Sequence, residues 1–229
     1  MNYRKQKQPK RERLSVDRSK TVEQKNERRL LLLVTNGEKT EPNYFNGFKT
    51  LLPKGTLHPY YIEFQEGNQL QVVATAIAKN SDSKYDEVWV VLDTEDLDKE
   101  GNCFRKAITL AQNNNISVAY SNRQIEVWFL FFFQQGREAC NKMGGNKTIS
   151  KLEDCLHAIG ISDKYQKSHS IFNTLLHHGN EQAAIEHADN VLAQAEKNFP
   201  NEPWKCNPST TVHTLVKKLR EMADEYNNN

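Results

Sequence analysis

Apolar runs alternate with stretches of helical apolar spacing along the first 135 residues of the chain. The runs "RLLLLVT", residues 29 to 35, and "DEVWVVLD", residues 86 to 93, are apolar on both faces. This pattern predicts two buried strands of a parallel sheet. "HPYYIEFQ" and "ISVAYS" predict two further, shorter strands.

Four segments between and after these strands predict helices. They are "TEPNYFNGFKTLLP", "GNQLQVVATAIAKNS", "CFRKAITLAQNNN" and "NRQIEVWFLFFFQ". In the fourth segment, Ser121 and Asn122 favour a capped helix over a strand. Strands that alternate with helices predict an α/β fold, with a mostly parallel sheet of about four strands and helices on both faces.

The rest of the chain differs in character from this α/β core, which we place at residues 29–135. Residues 136–229 predict a helical C-terminal portion, in which residues 148 to 229 give three or four helices and no convincing strand. Residues 1–28 predict a basic, disordered arm, because they hold few apolar residues and show no period. Residues 1 to 29 carry eleven Lys/Arg and four Asp/Glu, a net charge of +7. Such an arm favours contact with nucleic acid, although it is also compatible with a solvated tail that has no partner.

Several classes of protein and site are disfavoured by composition. The four cysteines form no CxxC pair, which argues against a zinc site. The longest apolar run has seven residues, 127 to 133, whereas a membrane span needs about 18. The first residues lack the apolar core of a signal peptide. We therefore expect a cytoplasmic protein that does not enter a membrane.

Acidic residues follow two of the predicted strands. The segment from Asn36 to Glu41 follows the first strand, and Asp93 and Glu95 follow "VWVVL". In open α/β sheets, ligands bind outside the carboxyl ends of the strands. Mg²⁺ favours one or two carboxylates together with waters and a substrate phosphate, a combination suited to phosphodiester chemistry. Acidic residues here can also cap the next helix, which we prefer for Asp98 and Glu100.

Four segments resemble the RloB-like family of bacterial defence and restriction loci. They are "LVTNGEKTEPNYFNGF", "YDEVWVVLDTED", "AYSNRQIEVWFLFFF" and "CNPSTTVHTLVKKL", and they span about residues 30 to 220. That family in turn resembles Toprim domains, the fold of topoisomerase, primase and OLD-type nuclease metal sites. The resemblance implies a Toprim-like core, a cofactor Mg²⁺ (or Mn²⁺), a nucleic-acid substrate (DNA or RNA), and an AAA-type ATPase encoded nearby as a partner.

The resemblance also implies roles for particular residues. Toprim sites hold the metal with a glutamate after the first strand and an Asp-x-Asp pair after a later one. Asp93 and Glu95 match the pair, with Asp96 as a near alternative. Glu41 matches the glutamate of "KTEP" and would serve as third ligand or base. Lys39 would steady the phosphate.

One position departs from the family pattern, which usually reads Glu-Gly after the first strand. This chain reads Asn36-Gly37. Asn can hydrogen-bond but carries no charge and cannot act as a general base. Two functions therefore remain open, a metal-dependent nuclease in which Glu41 replaces the missing carboxylate, and an inactive nucleic-acid-binding or sensor subunit.

Two further segments contain candidate residues. Asn122 and Glu126 are four apart, so a helix would place them on one face. The family usually reads Ser-Asn-Pro-x-Phe-Glu-x-Trp here, and Arg123 replaces its proline. Either Asn122 and Glu126 line the cleft and Arg123 contacts phosphate, or Asn122 caps the helix and Glu126 pairs with a structural Lys or Arg. Tyr165 and Lys167 resemble a family Tyr-x-Lys element, in which Lys167 either faces the cleft and binds phosphate or lies in a solvated loop.

Overall fold

A single five-stranded sheet organises the protein. The computed structural model describes residues 29–57, 59–94, 97–139 and 144–228. The strand order is β2-β1-β3-β4-β5; the first four strands along the chain are parallel, and β5 is antiparallel to β4. The predicted α/β fold with a mostly parallel sheet is confirmed. The strands are β1 (Leu31–Thr35), β2 (Tyr60–Phe64), β3 (Glu87–Asp93), β4 (Ser117–Asn122) and β5 (Ser209–Thr210).

Helices connect the parallel strands and form the C-terminal portion. Each of the first three helices follows one parallel strand and leads to the next, and α4 follows β4. The described helices are α1 (Thr40–Gly47), α2 (Gln69–Lys79), α3 (Leu97–Asn113), α4 (Glu126–Phe131), α5 (Gln134–Ala139), α6 (Gly145–Ala158), α7 (Phe172–His178), α8 (Glu181–Asn198) and α9 (Val212–Asn227). Within the described ranges, no helix combines the length and apolarity needed to cross a membrane.

Two hydrophobic cores cover the two faces of the sheet, as the apolar runs predict. Successive side chains of a strand point to opposite faces. Leu31 and Leu33 accordingly belong to one core, with the aromatic residues of α1, and Leu32 and Val34 belong to the other, with α2 and α3. The side chains of these four residues of β1 are fully buried or nearly so. Burying a side chain of this size contributes about 1.5–3 kcal/mol to stability.

The helices that follow the neighbouring strands β1 and β3 cover opposite faces of the sheet. The chain passes from β1 through α1 to β2, and from β3 through α3 to β4, so the two connections run in opposite directions along the strand order. The helix α1 packs in the first core and α3 in the second. β1 and β3 are neighbours, so a crevice opens between their carboxyl ends, at the position where open α/β sheets bind ligands.

The C-terminal portion contributes the edge strand β5, and the expectation of no strand there is wrong. Hydroxyl contacts hold it: Ser121 Oγ lies 2.9 Å from Thr210 Oγ1, and Tyr120 Oη lies 3.0 Å from Ser209 Oγ. A two-residue strand is too short to show an alternation of apolar residues. The last helix, α9, begins just after this strand, at Val212.

The buried pair Tyr44 and Trp128 gives a test of the first core. Trp128 Nε1 donates a hydrogen bond to Tyr44 Oη at 2.8 Å, and both side chains are inaccessible to solvent. We expect Tyr44→Phe to lower the free energy of unfolding by about 1–3 kcal/mol, because the indole N–H loses its acceptor. Urea denaturation measures the change, with an unaltered m-value.

The matched control is Tyr61→Phe, which also removes a tyrosine hydroxyl. Tyr61 is 44% exposed to solvent. This change should stay within about 0.5 kcal/mol. Equal effects of the two substitutions would contradict the assigned role of the Tyr44–Trp128 hydrogen bond.

Candidate functional site

A polar cleft of about 250 Å³ lies at the crevice between the carboxyl ends of β1 and β3. It brings together most of the residues that the sequence analysis selected, although they come from four separate segments of the chain. The lining residues are Asn36, Gly37, Glu38, Lys39, Thr40, Glu41, Asp93, Ile125, Glu126 and Lys167.

The loop after β1 forms one wall of the cleft. The backbone N–H of Asn36 donates to Val91 O at 3.2 Å, which continues the contact between β1 and β3. The Asn36 side-chain amide donates to Gly67 O at 3.1 Å. A glutamate carboxylate could not make this bond, because an ionised carboxylate only accepts hydrogen bonds. Asn36 therefore joins two loops at the rim of the cleft.

Glu41 lies in the first turn of α1 and is 3% exposed. Burial raises the pKa of its carboxyl group, and the charge of Glu126 raises it further. Backbone hydrogen bonds at Glu41 and Gly37 and the charge of Lys167 act in the opposite direction. A Cβ atom at Gly37 would overlap the Glu41 carboxylate, so glycine provides the space that this carboxylate occupies. Glu38, by contrast, is exposed.

Glu126 is the first residue of α4 and is fully buried. Its Oε1 accepts a hydrogen bond from Tyr165 Oη at 3.2 Å and lies 3.7 Å from Lys167 Nζ. Its Oε2 has no hydrogen-bond partner. Glu126 thus lines the cleft and also pairs with a lysine, so both interpretations of this residue hold in part, and the lysine itself faces the cleft.

Asp93 is the last residue of β3 and lines the cleft. The register of β3 and β4 places it beside Ser121, and its backbone carbonyl accepts a hydrogen bond from Gln69 Nε2 at 2.9 Å. The expected second member of the pair, Glu95, and the alternative Asp96 lie outside the described residues. Among the described residues, no group of three or more His, Cys, Asp or Glu is arranged to hold a metal ion.

The prediction that Asn122 and Glu126 share a helical face is wrong. Asn122 is the last residue of β4 and pairs there with Ser209, and the helix begins only at Glu126. The Asn122 side chain donates to Trp204 O at 2.7 Å. Neither Asn122 nor Arg123 is among the lining residues of the cleft. The peptide bond between them is cis.

Sequence reasoning missed Tyr165 and Thr40. Tyr165 belongs to the segment between α6 and α7, and Thr40, the first residue of α1, is a buried residue that lines the cleft. Burial raises the pKa of Tyr165, and so does the negative charge of Glu126. A signal was present, because Tyr165 belongs to the same Tyr-x-Lys element that drew attention to Lys167.

The raised pKa of Glu41 predicts how stability depends on pH. The free carboxyl group of an unfolded chain titrates at about pH 4.3, and the folded protein retains the proton to a higher pH. The free energy of unfolding therefore falls as pH rises through this window. At pH values above this window, we expect Glu41→Gln to be more stable than the wild type. The difference should be about 1.4 kcal/mol for each pH unit that separates the folded-state pKa of Glu41 from its unfolded-state pKa.

Urea denaturation in EDTA, from about pH 4 to about pH 8, measures this difference. Glu63→Gln serves as the control, since Glu63 is a surface residue paired with Lys79. A stability gap between Glu41→Gln and wild type that does not change with pH would refute the prediction.

Comparison with known proteins identifies the family. A family model described as RloB-like protein matches residues 31–219. A search of curated proteins and a search of solved structures found no match. The matched region runs from the first strand into the last helix and includes all residues that line the cleft. The chain therefore belongs to the RloB-like family.

Proposed function

We propose that this protein is a Mg²⁺- or Mn²⁺-dependent, nuclease-like subunit of a bacterial anti-phage defence system, with a Toprim-like core. The observation that carries the proposal is the convergence of Glu41, Asp93, Glu126 and Lys167 in one cleft at the carboxyl ends of β1 and β3. Carboxylates beside a lysine are the groups that phosphodiester hydrolysis requires, for the metal and for the phosphate.

The residues fit a hard divalent cation. Asp93 and Glu95 would hold the ion, with Glu41 as third ligand or base. Mg²⁺ uses one or two protein carboxylates and completes its shell with water and substrate phosphate, so it needs no closed set of protein ligands. The unpartnered Oε2 of Glu126 adds a buried oxygen acceptor to the same cleft. When bound, the ion would supply charge neutralisation at the phosphate and activation of a water molecule.

The other residues of the cleft act on the phosphate and on protons. Lys167 and Lys39 are exposed at the cleft and would attract and orient the phosphodiester. A carboxylate whose pKa is raised toward neutral pH is a better proton acceptor, since general bases work best when their pKa is near the working pH. Glu41 has a pKa shifted in this direction, which supports its assignment as the base.

Partners complete the proposal. Nucleic acid, DNA or RNA, is the proposed substrate, and the +7 segment at residues 1 to 29 would bind its phosphates. An AAA-type ATPase encoded nearby is the proposed protein partner, as the family resemblance implies. The thiols of Cys103 and Cys155 are free, which fits the reducing conditions of the proposed cytoplasmic location.

A catalytically inactive nucleic-acid-binding or sensor subunit is the second candidate. Asn36 favours it, because this residue stands where the family usually has a glutamate and its amide is engaged with Gly67. Glu41 favours the enzyme, because a buried carboxylate with a raised pKa is costly to keep without a role.

Cleavage assays separate the two candidates. Purified protein is incubated with mixed nucleic acids and Mg²⁺, Mn²⁺ or EDTA, with and without the product of the neighbouring ATPase gene. We expect metal-dependent cleavage that Glu41→Gln reduces by about 10²-fold or more, since this is the usual contribution of a general base. Asp93→Asn should abolish it, whereas Asn36→Ala should have a much smaller effect.

Glu63→Gln is the control for cleavage, because it changes a surface carboxylate on β2 that is absent from the cleft. A wild type that is inert with every metal and with the ATPase, yet binds nucleic acid, would replace the enzyme with the sensor. Recovery of cleavage in Asn36→Glu would strengthen that conclusion.

Binding of nucleic acid through the arm is tested by deletion of residues 1–28. We expect the truncated protein to bind mixed-sequence nucleic acid more weakly. The slope of log K against log salt should also become shallower, because fewer counterions are released. Affinity measured over a range of salt concentrations gives both values, and unchanged affinity and slope would exclude the arm from binding.

A further inference from the structure

Tyr165 contacts the candidate site from the segment between α6 and α7, which also carries Lys167. Its hydroxyl donates to Glu126 Oε1 at 3.2 Å. Tyr165 therefore joins the segment between α6 and α7 to the first residue of α4. Removing this hydroxyl group would break that link.

The backbone that carries Tyr165 is fastened on both sides. The Tyr165 N–H donates to Glu153 Oε1 at 3.2 Å, which ties the segment to α6. The Asn43 side chain donates to Ser168 O at 3.0 Å, and Ser170 Oγ donates to Asn43 O at 3.2 Å, which ties it to α1. The position of the phenol over Glu126 is thus determined by the fold and not by its own hydrogen bond alone.

The two oxygens of Glu126 are in different states. Oε1 accepts from Tyr165 and lies near Lys167, whereas Oε2 is buried without a partner. A buried polar atom without a partner costs about 1–3 kcal/mol, and more when it carries charge. A cation in the cleft would remove this cost, and the hydrogen bond at Oε1 would fix the orientation of the carboxylate toward it.

We infer that Tyr165 is a positioning residue, which holds Glu126 through Oε1 so that Oε2 binds the divalent cation of the cleft. The inference rests on the proposed function for the identity of the cation, and it adds Glu126 to the proposed ligands and Tyr165 as the residue that orients it. Hydrogen-bond partners behind a metal ligand typically contribute about 10- to 100-fold to metal affinity.

Binding of Mn²⁺ to the full-length protein tests the inference without any cleavage assay. Free and bound Mn²⁺ are distinguished by electron paramagnetic resonance. We expect Tyr165→Phe, which keeps the ring, to weaken binding about 10-fold or more. Tyr61→Phe, a change at an exposed tyrosine of β2, should bind as tightly as the wild type.

A double-mutant cycle separates positioning from packing. Glu126→Gln removes the proposed ligand, so Tyr165→Phe should cost no further affinity in that background. Additive losses would show that Tyr165 acts independently of Glu126 and would overturn the inference. Equal Mn²⁺ affinity in wild type and Tyr165→Phe, or no Mn²⁺ binding by the wild type, would overturn it too.

Mn²⁺ binding tests the positioning role of Tyr165, and cleavage of nucleic acid tests the proposed function. A wild type that binds Mn²⁺ in a Tyr165-dependent manner but cleaves nothing keeps the positioning role and removes the nuclease. A wild type that cleaves, with Mn²⁺ affinity unaffected by Tyr165→Phe, keeps the nuclease and removes the positioning role.

Discussion

The divergence of the chain at β1 and β3 is the constraint on which the candidate site depends. These strands are neighbours, yet α1 leaves β1 on one face of the sheet and α3 follows β3 on the other. Side chains at the two carboxyl ends therefore border the cleft. Glu41 at the start of α1, Asp93 at the end of β3 and Glu126 at the start of α4 all line the cleft at this place. No local feature of any one segment could create this arrangement.

The buried carboxylates of the cleft lower the stability of the fold. Glu41 and Glu126 are both buried, and the charge of Glu126 contributes to the raised pKa of Glu41. The two cores provide the opposing stabilisation, since every residue of α4 and all five residues of β1 are buried. Lys167 offsets part of the charge, but its side chain is 53% exposed and is therefore screened by solvent. Sites that keep unfavourable charges in a stable scaffold are commonly functional ones.

The sequence predicted those parts of the molecule that follow from periodicity. Strands such as β1 and β3 are apolar on both faces, and strand ends of a parallel sheet meet at one edge, so the meeting of Glu41 with Asp93 could be expected. Asn122 was wrongly predicted to lie in the helix, because the same residue types are common at strand ends and at helix caps. In the structure it belongs to β4 and pairs with Ser209 of β5. The strand β5 was not predicted, because a strand of two residues is too short to show a periodic pattern of apolar residues. Tyr165 could not be placed, since its hydrogen bond to Glu126 joins positions 39 residues apart.

The side chain of Asn36 has a structural role at the rim of the cleft. The Asn36 amide donates to Gly67, which secures the loop before α2 against the loop after β1. The position thus contributes to the shape of the cleft rather than to its charge. Gly37 leaves room for the Glu41 carboxylate, which enters from the first turn of α1 and accepts backbone hydrogen bonds there. Asn36 at the strand end and Glu41 at the helix start therefore line the same cleft, and of these two residues only Glu41 carries a carboxylate.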